Sequence, residues 1–203
     1  MSGFVVFGGS RRLPVAGSQL VAVVARAVLA NGQSIAVGCA VGADEAVLCA
    51  VPFADRARVH VFAVHGVPVL AQGADLRGWQ APGSWRGSAV RSVAAHAAKG
   101  GPVSWWAGGA GHVPLVARLS GRTRACVRAA TAGAVLFFGS PSSVGTALCG
   151  RLAAARGLPV RAFPLGFDGS ALPSLGAGAW EPVNGPGVWA GAWAWVPSSA
   201  GFF

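Results

Sequence analysis

Residues Ala134–Cys149 read AVLFFGSPSSVGTALC. A short apolar run, Ala134–Phe138, meets the small polar turn Gly139-Ser140-Pro141-Ser142-Ser143, and a helical pattern runs from Gly145-Thr146 to Arg156. This is the pattern of a buried strand, a tight loop and a helix N-terminus. Such a junction leaves backbone N–H groups unpaired at the positive end of a helix dipole, which suits an anion or a phosphate. An ordinary strand–helix turn capped by Ser or Thr fits the same residues.

The same unit recurs upstream. Gly3–Phe7 is an apolar run entering Gly8-Gly9-Ser10-Arg11-Arg12, and a helix is predicted over Ser18–Ala30, stopped by Asn31-Gly32. Ser34–Gly38 is a second strand that ends in Cys39-Ala40-Val41-Gly42-Ala43-Asp44 and opens a helix through Ala50. Arg58–Val64 reads as a third strand. Continuous apolar strands alternating with helices point to a parallel sheet covered on both faces. Downstream, Gly66–Gly87 reads as an irregular connector, Ser88–Lys99 as a helix, Val103–Trp106 as a short strand and Ala107–His112 as a glycine-rich loop. Pro114–Ala130 is helical with a weak middle at Ser120-Gly121, and Pro159–Phe163 is a last strand.

The character changes after Pro164. The stretch 165–203 is rich in Gly and Pro and carries Trp180, Trp189, Trp193 and Trp195, with Asp168 and Glu181 as its charges. Trp193 and Trp195 alternate with Ala as a strand would. The expected organisation is a domain over 1–164 and a tail over 165–203 that packs on that domain or on a partner subunit, because so many exposed aromatics would aggregate. Base stacking on these indoles is the alternative.

Composition narrows the function classes. Of 203 residues, 53% are apolar and 11% charged, which excludes a charged disordered chain. The long uncharged runs are broken by Gly and Pro turn signals, and the N-terminus has no basic region ahead of its apolar run, so the expectation is a soluble, cytoplasmic protein. Cys39, Cys49, Cys126 and Cys149 are scattered without a C-x-x-C pair, and the four His have no ligand spacing. Neither a metal nor any other cofactor is expected, and the thiols read as buried and free. The formal charge is +10, and fifteen of the sixteen cationic residues are Arg. Part of this is the residue bias of a GC-rich genome, but the excess over six acids favours a polyanionic partner, nucleic acid or a phosphorylated ligand.

Three segments now fall into one pattern: Phe7-Gly8-Gly9-Ser10-Arg11, Val37–Ala46 and Gly139–Thr146. Together they resemble the Rossmann-like SLOG superfamily, which includes the DprA (Smf) DNA-processing family and the LOG phosphoribohydrolases. The second segment is similar to the DprA pattern small-G-x-A-x-G-x-D-x-x-A. Gly38, Ala40, Gly42 and Asp44 fill it, and Val47 stands where Ala is usual. The third is similar to the LOG loop P-G-G-x-G-T. Pro141, Gly145 and Thr146 match, while Ser142 and Ser143 replace the two glycines. The resemblance covers roughly residues 3–163. It implies an α/β, doubly wound, mostly parallel Rossmann-like sheet with helices on both faces, and a homodimer.

The residues supply a chemistry consistent with that fold. Gly8, Gly9, Gly42 and Gly145 let the backbone approach a ligand, and Ser10, Ser140, Ser142, Ser143 and Thr146 offer short hydroxyl donors. Arg11 or Arg12 can make the charge-assisted contact to a phosphate. Asp44 can accept from a ribose hydroxyl or a base, or can stabilise its own helix dipole. The resemblance assigns Arg122 the place of the LOG active-site arginine. Arg12, Arg118 and Arg124 are candidate nucleic-acid contacts, and Arg118, Arg122, Arg124 and Arg128 otherwise form a solvated basic face. The LOG loop is followed by a catalytic Glu, and Cys149 stands there. A neutral thiol neither stabilises an oxocarbenium-like transition state nor activates water. The expectation is therefore DprA-like, non-catalytic binding of single-stranded nucleic acid or nucleotides. A LOG-like phosphoribohydrolase and a nucleotide sensor that oligomerises through its tail are the alternatives.

Overall fold

A computed structural model describes residues 3–66 and 87–198. Its centre is an eight-stranded sheet. In chain order the strands are β1 (Phe4–Gly9), β2 (Ser34–Val37), β3 (Val59–Phe62), β4 (Val103–Ser104), β5 (Gly133–Phe138), β6 (Val160–Pro164), β7 (Gly178–Pro182) and β8 (Trp193–Pro197). The helices are α1 (Val15–Ala30), α2 (Ala43–Ala50), α3 (Gly87–Ala98), α4 (Leu115–Ala129) and α5 (Val144–Ala155). The spatial order is β4-β3-β2-β1-β5-β6-β8-β7. The strands from β4 to β6 in that order pair in parallel.

The apolar runs form strands because both faces are covered. Val5 and Phe7 of β1 and Val135 and Phe137 of β5 pack with Val21, Val24, Val28, Val47 and Val93 of α1, α2 and α3. The intervening Val6, Leu136 and Phe138 pack with Cys126, Val127, Ala147, Cys149 and Ala153 of α4 and α5 on the opposite face. A period of two thus sends alternate residues into two cores, as expected for the central strands of a doubly wound sheet.

From β1 the chain moves outward through β2, β3 and β4, then returns to place β5 on the other side of β1. The order reverses between β1 and β5, and a crevice opens outside the strand carboxyl ends at such a switch point. The loops after β1, β2 and β5 meet there.

Several expected boundaries move. α1 begins at Val15 rather than Ser18, with Pro14 as its entry residue, where the missing N–H costs nothing. The third strand begins at Val59, because Phe53–Arg58 winds as a 3-10 turn. The fourth ends at Ser104, because Trp106 takes a left-handed backbone with φ 54°. α4 continues through Ser120-Gly121, and Gly121 is a close approach rather than a break: a β-carbon there would lie 2.7 Å from the Gly108 carbonyl oxygen. The connector expected over Gly66–Gly87 lies, apart from its ends, outside the described residues.

Beyond β6 the chain adds two antiparallel strands. β8 pairs with β6 through Arg161–Ala194 and Ala162–Trp193, and β7 pairs with β8. Trp195 is buried and meets Trp180 edge-on at 5.3 Å, and Trp189 stacks on Phe163 at 6.2 Å. Arg161 lies over the Trp189 ring at 4.3 Å. These indoles are engaged by the chain itself.

Candidate functional site

The loops after β1 and β5 are locked together by one serine. Ser10 donates its backbone N–H to the Phe137 carbonyl at 2.9 Å, and its Oγ accepts the Gly139 N–H at 2.7 Å. The same Oγ lies 2.8 Å from Ser143 Oγ, so one hydroxyl donates to the other. Ser143 is the entry residue of α5 and makes no side-chain cap to its own helix. The ordinary-turn reading of this junction required such a cap. Ser143 directs its hydroxyl across the crevice instead, and the first turn of α5 keeps N–H groups without a side-chain partner.

These groups border a cavity of about 440 Å³ lined by Gly9, Ser10, Arg11, Arg12, Gly139, Ser140, Ser143, Val144, Gly145 and Thr146. Arg11 and Arg12 are exposed at its rim. Thr146 is buried, and Gly145 is exposed. A β-carbon at Gly145 would meet no atom within 4 Å, so this backbone faces open space. Ser142 is turned outward and bonds to Ser140, Oγ to Oγ at 2.8 Å and N–H to Oγ at 3.2 Å.

A second cavity of about 360 Å³ adjoins the first through Gly9, Arg11, Val144 and Gly145. Its floor includes Gly8, Gly38 and Ala40, and α4 and α5 wall it with Val116, Leu119, Cys126, Leu148 and Cys149. Val116 and Val144 are 76% and 80% exposed, so its mouth is apolar. Asp44 and Arg122 stand inside it.

Asp44 and Arg122 form an ion pair of 2.9 Å, Nη1 to Oδ2. Both side chains are largely buried. The Asp44 carboxylate also accepts the Ala40 N–H at 3.0 Å, which fixes the loop after β2. Burial works against the Arg122 charge, but Cys39 and Asp44 beside it outweigh that and raise its pKa above the ordinary guanidinium value. Gly38 lies directly against the pair, and a β-carbon there would fall on the Arg122 guanidinium and the Asp44 carboxylate. Gly42 has φ 86°, and a β-carbon there would fall on the Ser10 carbonyl oxygen, so glycine lets the β2 loop lie against the β1 loop. On the far side of Gly42 a wider hollow of about 890 Å³ includes Arg11, Arg12, Glu45, Cys49 and Ser88.

The structure thus brings Gly8, Gly9, Ser10, Arg11, Arg12, Asp44, Arg122, Ser140, Ser143, Gly145 and Thr146 around two joined cavities. Other candidates lie elsewhere. Arg118 is 7% exposed, donates from Nη1 to the Val64 carbonyl at 3.1 Å and lies under the Trp106 ring. It points into the protein, and not at the surface expected of a nucleic-acid contact. Arg124 and Arg128 are exposed on α4 and border neither cavity. Sequence reasoning missed Gly38 as a site residue and the apolar mouth formed by Val116 and Val144. Gly38 stood inside the quoted motif, while nothing local marked the two valines.

Cys149 is buried in the wall of the second cavity, and burial, with the nearby Asp44 charge, pushes its thiol up to about 12. Burial likewise pushes Cys39 up to about 11. Cys49 departs from the expected buried thiols by being exposed. Among the described residues, no group of three or more His, Cys, Asp or Glu side chains is placed to hold a metal ion. No described helix is long and apolar enough to cross a membrane.

No family model matches the chain, and neither does any curated protein. A solved structure is similar: DNA processing protein A from Helicobacter pylori, a protein described by its unique single-stranded DNA binding mode. The TM-score is 0.58 at 17% identity over 81% of this chain, and the match spans 66% of that longer chain, just short of two thirds. The chain therefore has a DprA-like, Rossmann-like α/β fold.

Proposed function

We propose that this chain binds single-stranded nucleic acid, or its nucleotides, at the joined cavities, without cleaving it. The observation that carries this reading is the Ser10–Ser143 bond at 2.8 Å. It takes the natural capping hydroxyl away from α5 and leaves the helix N-terminus open toward a cavity rimmed by Arg11 and Arg12. Uncapped N–H groups, hydroxyls and guanidinium groups in one concavity suit a phosphate oxygen. The net charge of +10 supports a partner with many phosphates, and the similar fold of a single-stranded DNA-binding protein supports the same class.

Catalysis has no acid to carry it at the position where the LOG resemblance places one. The Cys149 thiol stays neutral with its pKa pushed up to about 12. Asp44 is committed to Arg122 and to the Ala40 N–H. We assign Arg122 and Asp44 the task of shaping the cavity floor, Arg11 and Arg12 the neutralisation of phosphates in the cavities, Arg124 that of phosphates outside them, and SLOG membership as the evolutionary frame.

The test is the anisotropy of a fluorescent single-stranded oligonucleotide as salt is raised, beside a mononucleotide. Expected is affinity that falls steeply with salt. In an Arg11→Ala, Arg12→Ala variant the log–log salt slope is expected to be shallower by about 0.7 for each phosphate no longer neutralised. Saturable mononucleotide binding with no oligonucleotide binding would overturn the nucleic-acid reading in favour of a nucleotide sensor. Release of free base from a nucleoside monophosphate would overturn the non-catalytic part.

A further inference from the structure

Trp106 is the one non-glycine residue with positive φ among the described residues, at 54°. A bulky side chain rarely takes that conformation, and it persists where the surroundings over-determine it. The surroundings here are specific. The Trp106 N–H donates to the His65 carbonyl at 3.1 Å, the Ala107 N–H to the Ala63 carbonyl at 2.8 Å, and the Gly109 N–H to the Trp106 carbonyl at 3.0 Å. Gly66 and Gly111 leave room for the ring: a β-carbon at Gly66 would lie 2.5 Å from the indole nitrogen, and one at Gly111 3.3 Å from the ring edge. The Arg118 guanidinium lies 5.7 Å from the ring centroid.

This frame pushes an indole outward instead of burying it. Trp106 is 44% exposed, while its neighbour Trp105 packs on the core and tilts against His65 at 5.7 Å. The tail tryptophans described above are packed on other rings, on a guanidinium or on the strands. Trp106 stands just past β4, at the same carboxyl end of the sheet as Ser10, Asp44 and Arg122. It is tied to the cavity floor through α4, where Arg118 beneath the ring precedes Arg122 by one helical turn.

We propose that Trp106 is a stacking platform for a base of a single strand that leaves the cavities and crosses the carboxyl ends of β2, β3 and β4. A flat ring stiffened by an underlying cation, with area open to solvent on a basic protein, suits a nucleobase of an anionic chain. This inference rests on the nucleic-acid reading above.

The experiment measures the affinity of the full chain for a fluorescent oligothymidylate and for thymidine monophosphate, with Trp106→Ala, Trp106→Gly and Trp106→Phe. Glycine removes the ring and relaxes the backbone, so loss of binding in that variant is not a consequence of strain, and a thermal melt of each variant shows that it folds. Expected is an oligonucleotide affinity lowered about 5- to 100-fold in the Ala and Gly variants, recovered within about threefold by Phe, with mononucleotide affinity unchanged. Oligonucleotide affinity within about twofold of the parent in folded Ala and Gly variants would overturn the platform while leaving the nucleic-acid reading intact. Equal losses for both ligands would also overturn it, since Trp106 would then be propping the cavity. Failure of the parent chain to bind the oligonucleotide would overturn the nucleic-acid reading and the platform with it.

Discussion

Arg122 of α4 and Asp44 of α2 are 78 residues apart in the chain and 2.9 Å apart in the fold, and Gly38 leaves the space in which they meet. The pair ties a helix on one face of the sheet to a helix on the other across the end of β2. It is buried, so the cost of removing one partner exceeds the benefit of having both.

Asp44→Asn leaves the Arg122 charge buried without its counter-ion and weakens the anchor on the Ala40 N–H. The expected loss is about 3–5 kcal/mol, read as a lower urea midpoint at unchanged slope. Arg122→Met, which removes the charge and keeps most of the volume, is expected to cost less than Asp44→Asn.

Gly38→Ala places a methyl group on the ion pair. The expected destabilisation is about 1–3 kcal/mol by the same denaturation measurement, as for other overpacked sites. In the Asp44→Asn background the increment is expected to shrink, because the geometry it disrupts is already weakened; a double-mutant cycle measures the coupling.

Ser10→Ala leaves the Gly139 N–H without its acceptor and releases Ser143. The expected cost is about 1–3 kcal/mol, with a further weakening of oligonucleotide binding because the β1 and β5 loops lose their link. The released Ser143 hydroxyl is then able to cap α5 and compete with a phosphate. Ser143→Ala in the Ser10→Ala background is therefore expected to recover part of the binding.

Gly145 faces open space with ordinary helical backbone, which separates stability from binding. Gly145→Ala is expected to stabilise the fold by about 0.5–1 kcal/mol through helix propensity. Gly145→Phe is expected to fold normally and to reduce ligand affinity at least about tenfold by filling the space between the two cavities. Unchanged affinity in a folded Gly145→Phe protein would place the ligand elsewhere.

Stability is expected to plateau from about pH 6.5 to 9 and to fall on either side. Burial lowers the pKa of His60, His65 and His96, so below the usual histidine range the unfolded chain takes up protons that the folded chain refuses, and stability drops as pH falls. Burial raises the thiols of Cys39 to about 11 and Cys149 to about 12, and that of Cys126 in the same direction. Above the ordinary thiol value of 9.0 the unfolded thiols ionise while the folded ones stay neutral, so each costs about 1.4 kcal/mol per pH unit until its folded value is reached. Iodoacetamide labelling at pH 8 is the companion check: one adduct on the native chain, at exposed Cys49, and four after unfolding.

Much of the fold was legible in local sequence. Ala134–Phe138 is apolar without interruption, and Gly139–Ser143 cannot continue a strand, so the junction was visible from these residues, as were its counterparts after Phe7 and Val37. The covering of both sheet faces followed from the same runs. The first tail strand, β7, was not legible. Ala179-Trp180-Glu181 has no alternation long enough to mark a strand, and it forms one because β8 offers its edge.

Turn chemistry and apolar periodicity are local properties, so the glycine and serine turns that end the strands, and the arginines that accompany them, could be read directly from the chain. What each arginine does depends on the folded neighbourhood. Arg118 and Arg122 share the inward face of α4, and one meets a carbonyl while the other meets a carboxylate; Arg124, two residues on, faces solvent. Spacing fixes the face of a helix, but the partner on that face comes from a chain segment dozens of residues away. The same holds for Ser143, whose hydroxyl was free to cap its own helix until Ser10, 133 residues earlier, was brought within 2.8 Å of it.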